Sequence, residues 1–207
     1  MSLDPGTKQN YISKLEKAFK DMKSDDDFAH KVSYETAEYV KKGSIVTTDV
    51  GGISAGAFTG AGKGAMDVDF KVCKSIIAAA VKAMSSMTEG GDKYLADHIA
   101  KGIDDMVLVR GKAKTDVVGT VVTPSGVTTP MSGKAEGKFS DNGLQLKIVL
   151  GTEIFSVFQA MAKMTEGGDK FLAQGIEKAV TNYLSSGMIS TNGKTSIIGS
   201  VGTGKIM

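Results

Sequence analysis

The heptapeptide Met-Thr-Glu-Gly-Gly-Asp-Lys occurs twice in this chain, at residues 87–93 and at residues 164–170. The second copy begins 77 positions after the first. An identity of seven residues within 207 is far beyond chance, so the sequence indicates an internal duplication. These repeats therefore define the predicted organisation of the chain.

Residues on both sides of the heptapeptide match at the same spacing. Ile77 and Met84 correspond to Ile154 and Met161. A third, more diverged copy is indicated where residues 28–32 align with residues 172–176. We predict an α+β protein of three internal repeats, each a helix pair followed by a Gly/Thr/Val-rich, β-hairpin-like segment. The units are predicted at residues 1–67, 68–139 and 140–207.

Apolar residues that recur every three or four positions predict the helix pairs. The pairs are placed at residues 8–23 with 28–42, 69–87 with 93–107, and 147–164 with 170–186. Pro124 to Gly126 predicts a turn between strands, and Asn192-Gly193 predicts a type I′ hairpin turn. Four methionines near the ends of the first helices are predicted to be buried: Met84, Met87, Met161 and Met164.

Composition limits the classes of function. With 41% hydrophobic residues, the chain has enough apolar material for one core or several small ones. Its 25 basic and 23 acidic residues give a net charge of +2 and no basic field for a nucleic-acid backbone, so no nucleic-acid partner is expected. No apolar run approaches the ~20 residues of a membrane helix, and residues 1–10 do not resemble a signal peptide, so we expect no membrane partner and a cytoplasmic location. The one cysteine, Cys73, is predicted to be a buried, inert thiol.

Two strings resemble catalytic or phosphate-binding motifs. Residues 52–56 fit G-x-S-x-G around Ser54, and Asp92 and His98 follow in the order of a hydrolase. That motif requires a helix directly after the serine, and residues 57–64 are too rich in glycine to form one. Residues 199–205 match the start of a phosphate-binding loop, but Ile206 replaces the Ser or Thr that would hold magnesium. We therefore predict no catalytic residue, while a serine hydrolase at Ser54 remains an alternative.

The repeated loops carry the weak candidates for a metal site, namely Glu89, Asp92, Glu166 and Asp169. A Gly-Gly pair can fold two carboxylates towards one point, but calcium takes six to eight oxygens. The preferred interpretation is structural, with no metal and no cofactor. At least one glycine of each pair should have a positive φ, and Asp92 and Asp169 should cap the second helices.

Residues 96–103, followed by Val-Val-Thr-Pro-Ser-Gly at 121–126 and Gly-Lys-Ala-Glu-Gly-Lys at 133–138, resemble the small tail and baseplate structural proteins of tailed bacteriophages. The resemblance covers roughly half of the chain. The first unit departs from it, with Ser-Tyr-Glu at 33–35 in its helix. The resemblance implies a non-enzymatic virion protein, assembled in the host cytoplasm, that packs and pairs strands with copies of itself or with other virion proteins. The other alternative is a soluble module that binds a ligand or cation through the repeated loops.

Overall fold

The computed structural model describes residues 4–53, 56–194 and 200–207. In these residues the chain forms six α-helices, one π-helical turn and six strands, which confirms the α+β class. The helices are α1 (Pro5–Lys20), α2 (Asp25–Lys42), α3 (Lys71–Met84), α4 (Gly91–Asp104), α5 (Leu146–Met161) and α6 (Gly168–Ser186). The strands are β1 (Ser44–Ile53), β2 (Gly56–Asp67), β3 (Lys112–Val122), β4 (Thr128–Ser140), β5 (Met188–Lys194) and β6 (Ser200–Ile206).

The six helices form a closed ring. Each helix packs against the helix before and after it in the chain, and α6 packs against α1. Ser24 caps α2 by accepting a hydrogen bond from the backbone N–H of Asp27, and Gly43 ends that helix. The predicted helix pairs are therefore present, with boundaries within a few residues of those expected.

The six strands form a closed antiparallel barrel in chain order. β1 and β6 make the closing seam, in which Ile45 lies opposite Ile206. The helices join the barrel at one end, here called the proximal end. The hairpin turn between β3 and β4 lies at the other, distal end, where Pro124 to Gly126 form the predicted turn.

One continuous apolar core fills the helix ring and the proximal end of the barrel. It includes residues from all three predicted units, such as Leu15, Ile99 and Ile176, each of which is fully buried. A second, smaller apolar cluster occupies the distal part of the barrel and contains Phe58, Val117, Val121 and Ala135. The predicted units therefore share a single main core.

The barrel is narrow, and glycine permits its strands to approach. At Gly64 and Gly137, a Cβ would collide with the carbonyl oxygen of a residue in the next strand. The Gly-rich segments are thus required where backbones pass close together.

Two expectations from the sequence are wrong. Asn192 and Gly193 lie within β5, where Asn192 faces both Glu136 and Val201, so they form no hairpin turn. Met87 and Met164 are about 40% exposed, and Met84 and Met161 are only partly buried, because these residues end helices at the side of the ring remote from the barrel.

A π-helical turn at Asp105–Val109 extends α4. The buried Met106 precedes the buried Tyr183 by 77 positions, whereas the buried second residues of β3 and β5, Ala113 and Ile189, are 76 positions apart. The segment after α4 therefore holds one residue more than the segment after α6. A π-helical turn accommodates one additional residue without displacing the strand that comes after it.

Candidate functional site

The repeated loops have the same backbone geometry. Gly90 has φ 74° and Gly167 has φ 73°, so the prediction of a left-handed glycine in each loop is confirmed. These glycines are the N-cap residues of α4 and α6, and no side chain caps either helix. The prediction that Asp92 and Asp169 are caps is wrong, because each lies inside the first turn of its helix. There the positive end of the helix dipole stabilises the negative charge of the side chain.

All four candidate carboxylates of these loops are exposed. Glu89 and Asp92 border a shallow groove together with Met87 and Phe155, and Glu166 and Asp169 occupy the matching positions of the other loop. Throughout the described ranges, no group of three or more His, Cys, Asp or Glu residues is placed to hold a metal ion. Each loop therefore contributes two carboxylates, well below the ligand number that calcium requires.

The two motif-like strings do not have the structures that their chemistry needs. Ser54 and Gly199 lie outside the described residues, but strand β2 begins at Gly56, where a nucleophile elbow would have a helix. His98 lies on α4, and its Nδ1 is 2.8 Å from the carbonyl oxygen of Tyr94 in the same helix. Residues 200–206 form a strand rather than the helix that follows a phosphate-binding loop.

The barrel interior contains a polar layer that the sequence analysis did not identify. The Asp49 side chain is fully buried. The Thr47 hydroxyl donates a hydrogen bond of 2.6 Å to Asp49 Oδ2, and the Thr191 hydroxyl donates one of 3.4 Å to Oδ1. Ile45, Thr47 and Asp49 alternate along β1, and this period of two, which places all three on one face, was the available signal.

Two further hydroxyls on the inner wall of the barrel lack partners. Thr115 is 3% and Ser200 is 1% exposed, and neither Oγ forms a hydrogen bond among the described residues. Asp49 Oδ2 and Thr115 Cβ lie 3.0 and 3.2 Å from the point where Gly62 would carry a Cβ, so these two side chains share one region of the barrel. A buried polar atom without a partner is uncommon and requires an explanation.

A second buried polar network joins three helices of the ring. The rings of Tyr11 and Tyr39 stack with their centroids 4.3 Å apart. Tyr39 Oη donates a hydrogen bond to Glu177 Oε1 at 3.0 Å, and it lies 2.6 Å from the Thr181 hydroxyl. Burial raises the pKa of both tyrosines, so both remain neutral phenols. The network fixes α2 against α6, with α1 packed between them.

The outer wall of the barrel divides into two halves. In the distal half, the outward-facing residues of three successive rows across β6 and β1 to β4 are uncharged, and we call these residues the distal belt. They are Thr48, Val50, Gly52, Ala57, Thr59, Ala61, Val118, Thr120, Val122, Thr128, Pro130, Ser132, Val201 and Thr203. The proximal half is charged and mostly basic, with Lys63, Lys112, Lys114, Lys134, Lys138 and Lys205 beside Asp67, Asp116 and Glu136.

Cys73 is fully buried on α3, as predicted. Burial raises the pKa of its thiol to about 12. We expect the native protein not to react with a thiol reagent at neutral pH, because the reactive species is the exposed thiolate. Colorimetric titration should detect the thiol only after denaturation, and rapid labelling of the folded protein would contradict this prediction.

The partly buried Asp104 provides a pH-dependent contribution to stability. Burial raises the pKa of its carboxyl, although the hydrogen bond of 2.8 Å that Tyr183 donates to Oδ1 opposes this effect. The folded state therefore binds this proton more tightly than the unfolded state. The resulting stabilisation is complete below the ordinary pKa of an aspartic acid and is lost as pH rises through the raised value.

Wild type should therefore lose stability relative to Asp104→Asn as pH increases from acid to neutral. Urea unfolding across this pH range measures the difference. The stability of Asp116→Asn, a substitution on the outer wall of the barrel, should change with pH in the same way as that of the wild type. A constant difference between wild type and Asp104→Asn would contradict the prediction.

Comparison with protein-family models, curated proteins and solved structures finds no match to this chain. In the described parts of the chain, no helix combines the length and apolar character needed to cross a membrane.

Proposed function

We propose that this chain is a non-enzymatic assembly protein that packs through the distal belt against copies of itself. The proposal agrees with the resemblance of its sequence to tail and baseplate proteins of tailed bacteriophages, and it makes the chain a virion component. The observation that carries it is the uncharged outer wall of the distal barrel. Val50 and Val118 are 54% and 66% exposed there, and Val50 lies directly opposite Val201 in the seam.

The size of the belt suits an interface. Three rows across five strands have a footprint on the order of 500 Å², given the spacings within a sheet. Contiguous apolar patches of a few hundred Å² commonly mark binding sites. The exposed Val50, Val118, Val122 and Val201 supply the apolar part of the belt. A stable interface uses about 800 Å² from each partner. The exposed turn at residues 123–127, with Val127 58% exposed, extends the belt towards that area.

The closed barrel determines how such contacts form. β1 to β6 each have two neighbouring strands, so strand pairing with another subunit would require a pair within the barrel to open. We therefore propose that subunits contact one another through side chains of the outer wall and not through free strand edges. Contact through a wall also leaves the folded subunit unchanged, so assembly does not compete with folding.

We also propose that the three predicted repeats are structural units of this assembly protein. The described elements follow the order helix, helix, strand, strand three times. The loops of the second and third helix pairs share their glycine geometry. They also share a turn, in which the N–H groups of Met87 and Met164 each donate a hydrogen bond of 2.9 Å to the carbonyl oxygen three residues earlier.

Light scattering coupled to size exclusion tests the proposal. Wild type should form oligomers whose population rises with concentration. Val50→Lys should reduce that population strongly, because the interface would have to bury an unpaired charge. Ser44→Lys is the matched control, since it faces outward from the proximal end of the same strand. A wild type that stays monomeric at all concentrations, or equal effects of the two substitutions, would contradict self-assembly through the belt.

A further inference from the structure

The buried carboxylate of Asp49 has no charged partner in the described structure. None of the ion pairs formed by the described residues includes it. Apolar clusters lie on both sides of it along the barrel, one at the helix ring and one around Phe58. An ionised carboxylate in such surroundings is strongly unfavourable unless a positive charge or several hydrogen bonds compensate it.

The residues around Asp49 contain more oxygen atoms than the hydrogen bonds that they form can satisfy. Thr47 and Thr191 each use their hydroxyl proton on the carboxylate. Thr115 and Ser200 have no partner, although both lie on the inner wall, Thr115 beside Gly62 and Ser200 two positions before Gly202. One carboxylate and the hydroxyls of Thr47, Thr191 and Thr115 therefore lie together in one layer, in which the Thr115 oxygen has no hydrogen-bond partner.

Two glycines of the barrel wall leave room for these oxygens because they carry no Cβ. A Cβ at Gly202 would collide with Asp49 Oδ1 and Thr191 Oγ1, and it would lie 2.7 Å from Asp49 Cγ. A Cβ at Gly62 would collide with Thr47 Oγ1. Both glycines therefore leave the space that the Asp49 carboxylate and the hydroxyls of Thr47 and Thr191 occupy.

We propose that this polar layer of the barrel binds one monovalent metal cation, Na⁺ or K⁺, with Asp49 as its charged ligand. Hydroxyl and carboxylate oxygens are hard ligands, which suit hard cations. The single carboxylate balances a single positive charge. A divalent ion would leave a net positive charge among apolar neighbours, and calcium usually takes several carboxylates. Thr115, which lies beside Asp49 at Gly62, supplies a lone pair to the ion, which explains its lack of another partner.

Thermal unfolding at constant ionic strength tests the site, with choline chloride replaced by NaCl or KCl. Choline has the same charge but is too large for the layer. The Tm of wild type should rise by at least about 3 °C on replacement, because an ion that binds only the folded state stabilises it. Asp49→Asn should show no such rise. Asp116→Asn, which removes a carboxylate from the outer wall of the same barrel, should retain it.

A second measurement covers the case in which Asp49→Asn does not fold. Thr115→Val removes one ligand oxygen and keeps the shape, so it should weaken the dependence of Tm on Na⁺ or K⁺. Thallium(I), a heavy monovalent cation, should give an anomalous diffraction peak beside Asp49 in crystals of the wild type. Equal Tm values in choline, sodium and potassium together with no thallium peak would overturn the proposal.

Discussion

The Gly204→Ala variant is expected to lose about 3 kcal/mol of unfolding free energy, the upper end of the usual range for overpacking a buried site. Gly204 lies on β6 in the seam that closes the barrel, opposite Thr47. A Cβ at this position would lie 2.8 Å from both Thr47 Cα and the carbonyl carbon of Val46, and it would collide with the Val46 carbonyl oxygen. These are backbone atoms of a paired strand, so no side-chain rotation can relieve the contact.

Gly52→Ala is the matched control. Gly52 lies in β1, but a Cβ there would meet no atom within 4 Å. Its substitution should change stability by less than about 0.5 kcal/mol, as is usual for surface sites. Urea unfolding followed by circular dichroism measures both variants. A Gly204→Ala variant as stable as Gly52→Ala would show that the seam is looser than the structure indicates.

The helices could be predicted from the sequence because their signals are local. The apolar spacing of α3 and α5 and the glycines of the repeated loops act within a few residues. Each of these predictions required only the chain on either side of the residue concerned. The predicted element boundaries accordingly differ from the structure by only a few residues.

Closure of the barrel could not be predicted in this way. The seam joins residues near position 45 to residues near position 206, and no local pattern records that pairing. The Asn192-Gly193 dipeptide illustrates the conflict, because a strong local turn signal gives way to pairing of β5 with β4 on one side and β6 on the other. For the same reason, the Gly-rich segments predicted three separate β-hairpin-like segments and not one closed barrel.

The buried polar layer depends on this closure. The alternation of Ile45, Thr47 and Asp49 shows that they share a face, but only a closed barrel makes that face an interior. The prediction that Met87 and Met164 are buried is wrong for a different reason. The apolar helical pattern continues in the sequence beyond the point where the packed core ends. The sequence therefore points to the exposed acidic loops, whereas the carboxylate without a charged partner among the described residues lies inside the barrel.

The Tyr39→Ala variant is expected to lose about 3 to 5 kcal/mol of unfolding free energy, the range for removing a large buried aromatic side chain. Tyr39 is 2% exposed, stacks on Tyr11, and joins α2 to Glu177 and Thr181 of α6. Its removal would leave a cavity and release the partners on α6. Because the helices form a closed ring, loss of this connection weakens the packing of α1 as well.

Two further variants separate the causes of that loss. Tyr39→Phe keeps the ring and removes the hydroxyl, so it should cost about 1 to 2 kcal/mol, the usual effect of a lost buried hydrogen bond. Tyr34→Ala is the control, since Tyr34 lies on the same helix with 40% of its surface exposed and should cost less than about 1 kcal/mol. Urea unfolding monitored by circular dichroism gives all three values. Equal losses for Tyr39→Ala and Tyr34→Ala would show that the helix ring does not depend on this buried connection.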